Sequence, residues 1–343
     1  MSNYVWGQEE TKYFYELNPD VVLKAVDCLG FKTTGRILTL NSMENRVYEI
    51  EIDVPEDQVK SPSDNFLVAK FYRPARWTEA QIREEHQFMQ DLKAADIPLV
   101  ANIVVNGESL FRLEEQNLFY CLYPKKGGRM LGEMNTEQLQ IMGRMLARLH
   151  NVGEQKSANA RIKLTPDSFG LQNLAFLKEK KCIPAQFESE YEKVVKDICR
   201  LSTPLFNGIK SLRIHGDCHW GNVISRDREG LFFIDFDDMM MGPAVQDIWL
   251  IVPGEDEYAI NDRNTLMDSY ESMREFDYRE MKLIEPLRAL RYIHFSAWIA
   301  KRWEDKAFQN AFPQFGSQLY WENQINDLKL QQRKIESHGL TWS

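Results

Sequence analysis

Cysteine is scarce in this 343-residue chain: the five that occur, Cys28, Cys121, Cys182, Cys199 and Cys218, are scattered and odd in number. They form no CxxC pair, and reduced thiols in a cytosolic protein are the simplest account. No apolar run approaches the ~20 residues a membrane helix needs. The opening MSNYVWGQEE lacks the basic and apolar regions of a signal peptide. A cytoplasmic protein that does not enter a membrane is expected. A basic excess is missing too: 51 acids face 42 Lys and Arg, for a net charge of -9, whereas a nucleic-acid binder usually carries the opposite sign. There is no internal repeat and no low-complexity segment. What remains, 43% hydrophobic and 27% charged residues, is ordinary for a globular chain long enough for two domains or one two-lobed unit.

The densest chemistry lies between Ile214 and Asp238, IHGDCHWGNVISRDREGLFFIDFDD. Val223-Ile224-Ser225 reads as a strand, Arg226 to Gly230 as a turn, and Leu231-Phe232-Phe233-Ile234 as a second, buried strand. A hairpin brings its ends together, so Asp217 and Asn222 before it and Asp235 after it are expected at one mouth. Phosphoryl transfer asks mainly for positioning and charge neutralisation, which this set suits. Mg²⁺ takes oxygen ligands, for which Asn222 and Asp235 are the candidates. Asp217 would face the incoming hydroxyl as proton acceptor. An Asp, four residues, an Asn, and an Asp on the next loop is the kinase pattern. A zinc cluster at His215-x-Asp217-x-His219 is a weaker reading, because no further His, Cys or Asp stands at zinc spacing. A merely solvated acidic loop is weaker still, since acids beside buried strands are costly unless used or paired. Asp237 and Asp238 are extra acids that can join the metal site.

His215-Gly216-Asp217-Cys218-His219-Trp220-Gly221-Asn222 resembles the HGDxHxxN loop of the aminoglycoside phosphotransferase branch of the protein-kinase-like fold. Leu40 to Tyr48, Lys70-Phe71-Tyr72-Arg73-Pro74, Glu84-Glu85-His86-Gln87-Phe88 and Gly242 to Asp247 resemble it as well, and the similarity runs from about residue 18 to near the C-terminus. The resemblance implies a two-lobed α+β fold: a small antiparallel-sheet lobe over residues 1–123 that holds ATP, and a mainly helical lobe over 124–343 that holds the catalytic loop and substrate. It implies ATP and Mg²⁺ as cofactors. By likeness to a bacterial Ser/Thr protein kinase of that branch, it implies a protein Ser or Thr as acceptor, a monomer, and a role in survival under stress. The rival is a small-molecule kinase of the same branch, acting on a choline-, homoserine- or aminoglycoside-like hydroxyl. A pseudokinase or interaction module would lack Asp217, Asn222, Asp235 or Lys70, and all four are present.

In chain order, residues 1–17 read as an irregular arm. Asn18 or Asp20 caps a helix that Gly30 ends. Ile37-Leu38-Thr39-Leu40, Arg46 to Ile52 and Phe66 to Phe71 alternate as strands. Asn41 to Asn45, between the first two, is the expected phosphate-covering loop, though it contains no glycine. Ser42 is its candidate nucleotide contact, by resemblance and because its hydroxyl can donate to a phosphate; an ordinary hairpin turn is equally compatible. Lys70 ends a Val-Ala-Lys strand, where a kinase lysine binds the α- and β-phosphates and pairs with a helix glutamate. Glu85 is that partner, sharing an inner face with Phe88, Met89 and Leu92; Glu84 is the fallback. Thr78 with Gln81 signals the start of that helix.

Ile97 to Val100 and Phe111 to Leu113 are expected to pair around the turn Asn106-Gly107. The backbone from Leu122 to Pro124 would meet adenine, by resemblance to kinase hinges. A helix runs through Leu139 to His150, and residues 153–170 read as a polar link. His150 either bonds the catalytic loop or sits on the surface. Asp247 is expected to cap the following apolar helix and to hold the catalytic loop. The short stretch from Met239 to Asp247 replaces a long activation segment. Residues 263–335 are helical, with Arg288, Arg291 and Arg302 interleaved among Tyr292, Phe295, Trp298 and Trp321 as packing or as the floor of a substrate groove. Cys218 beside Asp217 would be a redox-sensitive position only with an exposed thiol of lowered pKa; otherwise it is inert.

Overall fold

The structure, a computed structural model, describes residues 14, 15, 17–226 and 229–341. The expected N-terminal arm lies outside these except for Phe14, Tyr15 and Leu17, and so do Asp227 and Arg228 of the expected turn. The elements are α1 (Pro19–Asp27), β1 (Thr33–Leu40), β2 (Arg46–Ile52), β3 (Phe66–Phe71), α2 (Glu79–Ala94), β4 (Phe111–Leu113), β5 (Leu118–Pro124), β6 (Arg129–Met130), α3 (Thr136–Gln155), α4 (Gln172–Glu179) and α5 (Ala185–Ser202). They continue as β7 (Leu212–Ile214), β8 (Val223–Arg226), β9 (Gly230–Phe233), β10 (Met240–Gly242), α6 (Val245–Ile251), α7 (Glu257–Glu271), α8 (Ile284–Ala300), α9 (Lys306–Ala311) and α10 (Gln318–Thr341). The chain divides into two compact units. The first takes residues up to Met145 together with His219–Asp238; the second takes Leu146–Cys218 together with Met239 onward.

In the first unit a five-stranded antiparallel sheet has the order β1-β2-β3-β5-β4. Period-two alternation decides its faces. Tyr48, Ile50 and Ile52 of β2, Leu67, Ala69 and Phe71 of β3, and Tyr120 and Leu122 of β5 bury one side against Val22 and Val26 of α1. Asn18 Oδ1 caps α1 by accepting from Val21 N–H at 3.0 Å. Lys70 falls between Ala69 and Phe71 and so points to the opposite face. α2 starts at a reciprocal Thr78–Gln81 capping box and buries Ile82, Glu85, Phe88, Met89 and Leu92. Glu85 therefore lies within an apolar stripe.

The expected Ile97–Leu113 hairpin is only partly formed. Asn106 and Gly107 both take positive φ, 52° and 85°, and close the Val105–Glu108 bridge. Residues 98–100, however, pair with β9: Val100 N–H donates to Phe233 O at 2.9 Å and Phe233 N–H to Pro98 O at 3.1 Å. Pro98 has no N–H to give to a ladder, so the segment serves as an edge partner. β6, β8 and β9 form a three-stranded sheet beside it. These pairings group residues 124–145 and the β8–β9 hairpin with the first sheet, whereas β5 itself ends at Pro124.

The second unit is mainly helical. Tyr191 of α5 meets Trp321 of α10 edge-on at 5.2 Å, both fully buried. α3 runs on to Gln155, into the segment expected as a link, and Thr165 caps a wide turn, Pro166–Leu171, that leads into α4. β7 pairs with β10, Ile214 opposite Met240. β7 also lies tight against the end of α3. A side chain at Gly153 would meet Arg213 O at 2.1 Å, so only glycine fits. The Arg213 guanidinium donates to Val152 O at 2.9 Å. This contact fixes the strand from which the 215–218 loop departs. Among the described residues no helix is long and apolar enough to cross a membrane.

Candidate active site

On the first unit, Lys70 Nζ donates to Glu85 Oε1 at 3.3 Å and to Asp237 Oδ1 at 3.0 Å. Glu85, rather than Glu84, is thus the helix glutamate that faces the lysine. All three side chains are buried. A buried carboxylate costs several kcal/mol unless paired, which is why Glu85 is compatible with the apolar stripe of α2. Burial works against the charge on Lys70, but Asp237 and Glu85 outweigh it and hold its pKa well above the usual range. Burial works in the same way against the Asp237 carboxylate, and Lys70, Arg76 and the Asn45 amide overcome it, holding its pKa well below the usual range.

Asp237 is a hub that the sequence reading did not place. It also pairs with Arg76, whose second amino group reaches Asp238 Oδ1 at 2.7 Å. Asn45 Nδ2 donates to Asp237 Oδ2 at 2.9 Å, while Asn45 Oδ1 accepts Arg73 N–H at 3.1 Å. Arg73 further donates to the carbonyls of Met43 at 3.0 Å and Glu44 at 2.8 Å. The glycine-free loop between β1 and β2 is therefore set by side chains that hold its carbonyls. Within it, Ser42 Oγ accepts Asn45 N–H at 3.2 Å and stays half-buried, leaving its own hydroxyl proton to donate. The available signal was the charge-rich run Arg73-Pro74-Ala75-Arg76 directly after the Lys70 strand.

Asn222 and Asp235 meet at the open end of the hairpin. Val223 pairs with Phe233, and Ile234 N–H donates to Asn222 O at 3.0 Å. Asp235 then takes φ +57°, a left-handed conformation that costs most residues ~1 kcal/mol or more and that Asp tolerates better than most. Phe236, fully buried against Phe88 and Phe233, anchors the chain after the turn. Asp235 is exposed as a whole residue, although its carboxyl group is enclosed by the protein around it. The protein packed around it pushes its pKa up to about 6, with Asp237 and Asp238 adding to the rise and Lys70 and Arg76 opposing it. One carboxylate and one amide at a hairpin mouth fit a hard cation that keeps several waters. Asp237 and Asp238, expected as possible further ligands, are engaged by Lys70 and Arg76. Among the described residues no group of three His, Cys, Asp or Glu side chains is placed to hold a metal. His219 Nδ1 accepts Gly221 N–H at 2.9 Å and caps the turn before Asn222.

Asp217 belongs to the second unit; the division falls between Cys218 and His219, inside the loop. Gly216 takes φ +86°, which only glycine adopts freely. Asp247 fixes the loop from below: Oδ2 accepts His215 N–H at 2.9 Å and Oδ1 accepts Gly216 N–H at 2.8 Å. Gln246 Nε2 donates to Gly216 O at 3.1 Å. Asp247 stands inside the first turn of α6 and does not cap it, since the helix already begins at Val245. Its carboxylate also meets His150 Nε2 at 3.2 Å, and His150 Nδ1 meets Tyr270 OH at 2.9 Å. His150 is fully buried, so the surface alternative for it falls away. Cys218 is fully buried as well, and burial, with Asp247 and Asp217 near it, raises its pKa well above the usual range. Both features favour the inert alternative for this thiol. Asp217 itself pairs with Arg291 of α8, Nη1 to Oδ1 at 2.8 Å; nothing in the sequence spacing pointed to that partner.

The comparisons with known proteins agree with this frame. The chain is 35% identical over 312 residues, 91% of each chain, to stress response kinase A of Escherichia coli (strain K12). It is 34% identical over 323 residues, 94% of each chain, to the serine/threonine protein kinase RdoA of Salmonella typhimurium (strain LT2). The solved structure of the amicoumacin kinase hAmiN, in complex with AMP-PNP, Ca²⁺ and Ami, superposes with a TM-score of 0.68 over 93% of each chain at 18% identity, which establishes the protein-kinase-like α+β fold. The kinase assignment rests on the relatives at 34–35% identity and on the family, not on the superposition. The family model of the phosphotransferase enzyme family matches residues 39–284, and the chain belongs to that family.

Proposed function

We propose that this chain is an ATP- and Mg²⁺-dependent kinase that phosphorylates Ser or Thr hydroxyls of proteins, in the cytoplasm, as a monomer, in survival under stress. The observation that carries the nucleotide side is the buried Lys70–Glu85 pair at 3.3 Å on the sheet unit, because an ammonium held by two carboxylates is positioned for phosphate oxygens. The names of the relatives, stress response kinase A and serine/threonine protein kinase RdoA, support the protein acceptor and the stress setting.

Lys70 holds the α- and β-phosphates, and Glu85 keeps its ammonium in place. Ser42 donates to a phosphate from the loop that Arg73 and Asn45 fix. Asn222 and Asp235 would hold Mg²⁺, which when bound neutralises phosphate charge. Asp217 orients the acceptor hydroxyl and takes its proton as the oxygen attacks the γ-phosphorus and ADP leaves. Asp247, supported by His150, keeps the Asp217 loop in register. By function, residues 1–123 are assigned to the nucleotide and 124–343 to catalysis, although residues 124–145 and 219–238 belong to the sheet unit.

The test is transfer from labelled ATP with Mg²⁺ by wild type and Asp217→Ala, offered a generic basic protein, a generic acidic protein, amino alcohols and sugars. Label on protein Ser or Thr that disappears in the variant supports the reading. Label only on a small molecule replaces it with the small-molecule kinase.

A further inference from the structure

The candidate base is held by a cation. In the second unit Arg291 Nη1 lies 2.8 Å from Asp217 Oδ1, and both side chains stay accessible, at 42% and 23% exposure. Arg288, one turn earlier on α8, has its guanidinium committed to Pro253 O at 3.0 Å, to Glu255 and Glu285 at 3.6 Å each, and to the face of Trp249. Arg302, two residues past the end of α8, is buried over the rings of Trp298 and Phe308. Arg291 is therefore the arginine of this stretch that combines exposure with direct contact to Asp217.

A guanidinium paired with the base imposes a charge rule on the acceptor. An acceptor cation placed near the reacting hydroxyl meets like charge, and like charges set close together disfavour binding. An anion there meets a planar donor fork suited to carboxylate or phosphate. It also competes with Asp217 for the guanidinium, freeing the carboxylate to accept the hydroxyl proton.

We propose that Arg291 is a specificity-determining residue, selecting acceptors that carry a carboxylate or phosphate beside the phosphoacceptor hydroxyl. This rests on the assignment of Asp217 as the base. The anion can be an acidic side chain next to Ser or Thr in a peptide, or the carboxylate of a small hydroxy acid. The recognition chemistry is the same.

The experiment compares kcat/KM for a Ser peptide flanked by Asp, the same peptide flanked by Lys, glycerate, and choline, in wild type, Arg291→Lys, Arg291→Gln and Arg291→Glu, with melting curves for each protein. The readout is the anionic-to-cationic ratio within each variant, which divides out any activity loss common to both. Wild type is expected to favour the anionic member about tenfold or more. R291K keeps the direction, R291Q brings the ratio near one, and R291E inverts it; should R291E not fold, R291Q still decides. Preference among peptides identifies the source as a protein, and preference shown only by glycerate over choline identifies a small hydroxy acid; either supports the rule. Transfer without charge preference, or a preference that R291Q leaves unchanged, overturns this inference alone. No transfer to any acceptor overturns the proposed function and this inference with it.

Discussion

Asp237 Oδ1 lies 3.0 Å from Lys70 Nζ, nearer than Glu85 Oε1 at 3.3 Å. The lysine of the sheet is thus shared between two buried carboxylates, and one of those carboxylates is shared with Arg76.

Removing Asp237 leaves two buried cations short of a partner. Asp237→Ala is expected to lower unfolding free energy by about 3–5 kcal/mol, and Asp237→Asn by less, since the amide still accepts a hydrogen bond. Urea denaturation at neutral pH measures it; a loss below about 1 kcal/mol would contradict the network.

Asp247 accepts two backbone N–H groups of the Asp217 loop and one His150 nitrogen. Asp247→Ala orphans all three inside the protein, each costing about 1–3 kcal/mol. Both stability and kcat should fall, kcat by about tenfold or more. His150→Ala, which leaves the two loop contacts intact, should cost less kcat than D247A. Equal kcat losses would show that the loop is not held through Asp247.

Much of this frame was legible beforehand. β2 and β3 have the expected bounds because strict alternation allows only one face for Tyr48, Ile50 and Ile52. The α2 start was written in Thr78 and Gln81. The hairpin mouth with Asn222 and Asp235 followed from two apolar runs and a turn. Partner choice was legible where the family resemblance supplied it, as for Lys70 with Glu85 and Asp247 with the 215–218 loop, and not elsewhere. Arg76 and Asp237 advertise charge, and Pro98 advertises an edge, but what each meets depends on segments far away in the chain. The same holds for Arg291 and Asp217. Local pattern specifies elements, whereas long-range ion pairs require the fold.

Glu280 gives a pH test. It is buried, and its Oε2 accepts Val245 N–H at 2.8 Å at the start of α6. Burial, with Asp277 adding to it, pushes its pKa up to about 7 from 4.5, against the Val245 and Ala244 hydrogen bonds and Arg274. Between those values the folded chain keeps a proton that the unfolded chain has lost, so stability falls as pH rises across the window. Glu280→Gln retains an acceptor and removes this term. The stability of E280Q relative to wild type should improve by on the order of 2 kcal/mol from pH 5 to pH 8. A flat difference would exclude a proton on Glu280.

Cys218, buried with a raised pKa, should resist iodoacetamide at pH 7.5 in the folded protein and react once urea is added. Peroxide should leave phosphotransfer intact on the same timescale. Rapid modification of the native chain at Cys218, read by mass spectrometry, would contradict this.

The Lys70 ammonium is never bare. Any phosphate that reaches it shares the ammonium with Glu85 and Asp237, and the measured nucleotide affinity includes the cost of that sharing. Weakening the internal competitor at Asp237 should then loosen the fold while tightening the grip on nucleotide. The residues that keep the sheet unit folded in the absence of ligand thereby set an upper bound on how tightly the ligand is held.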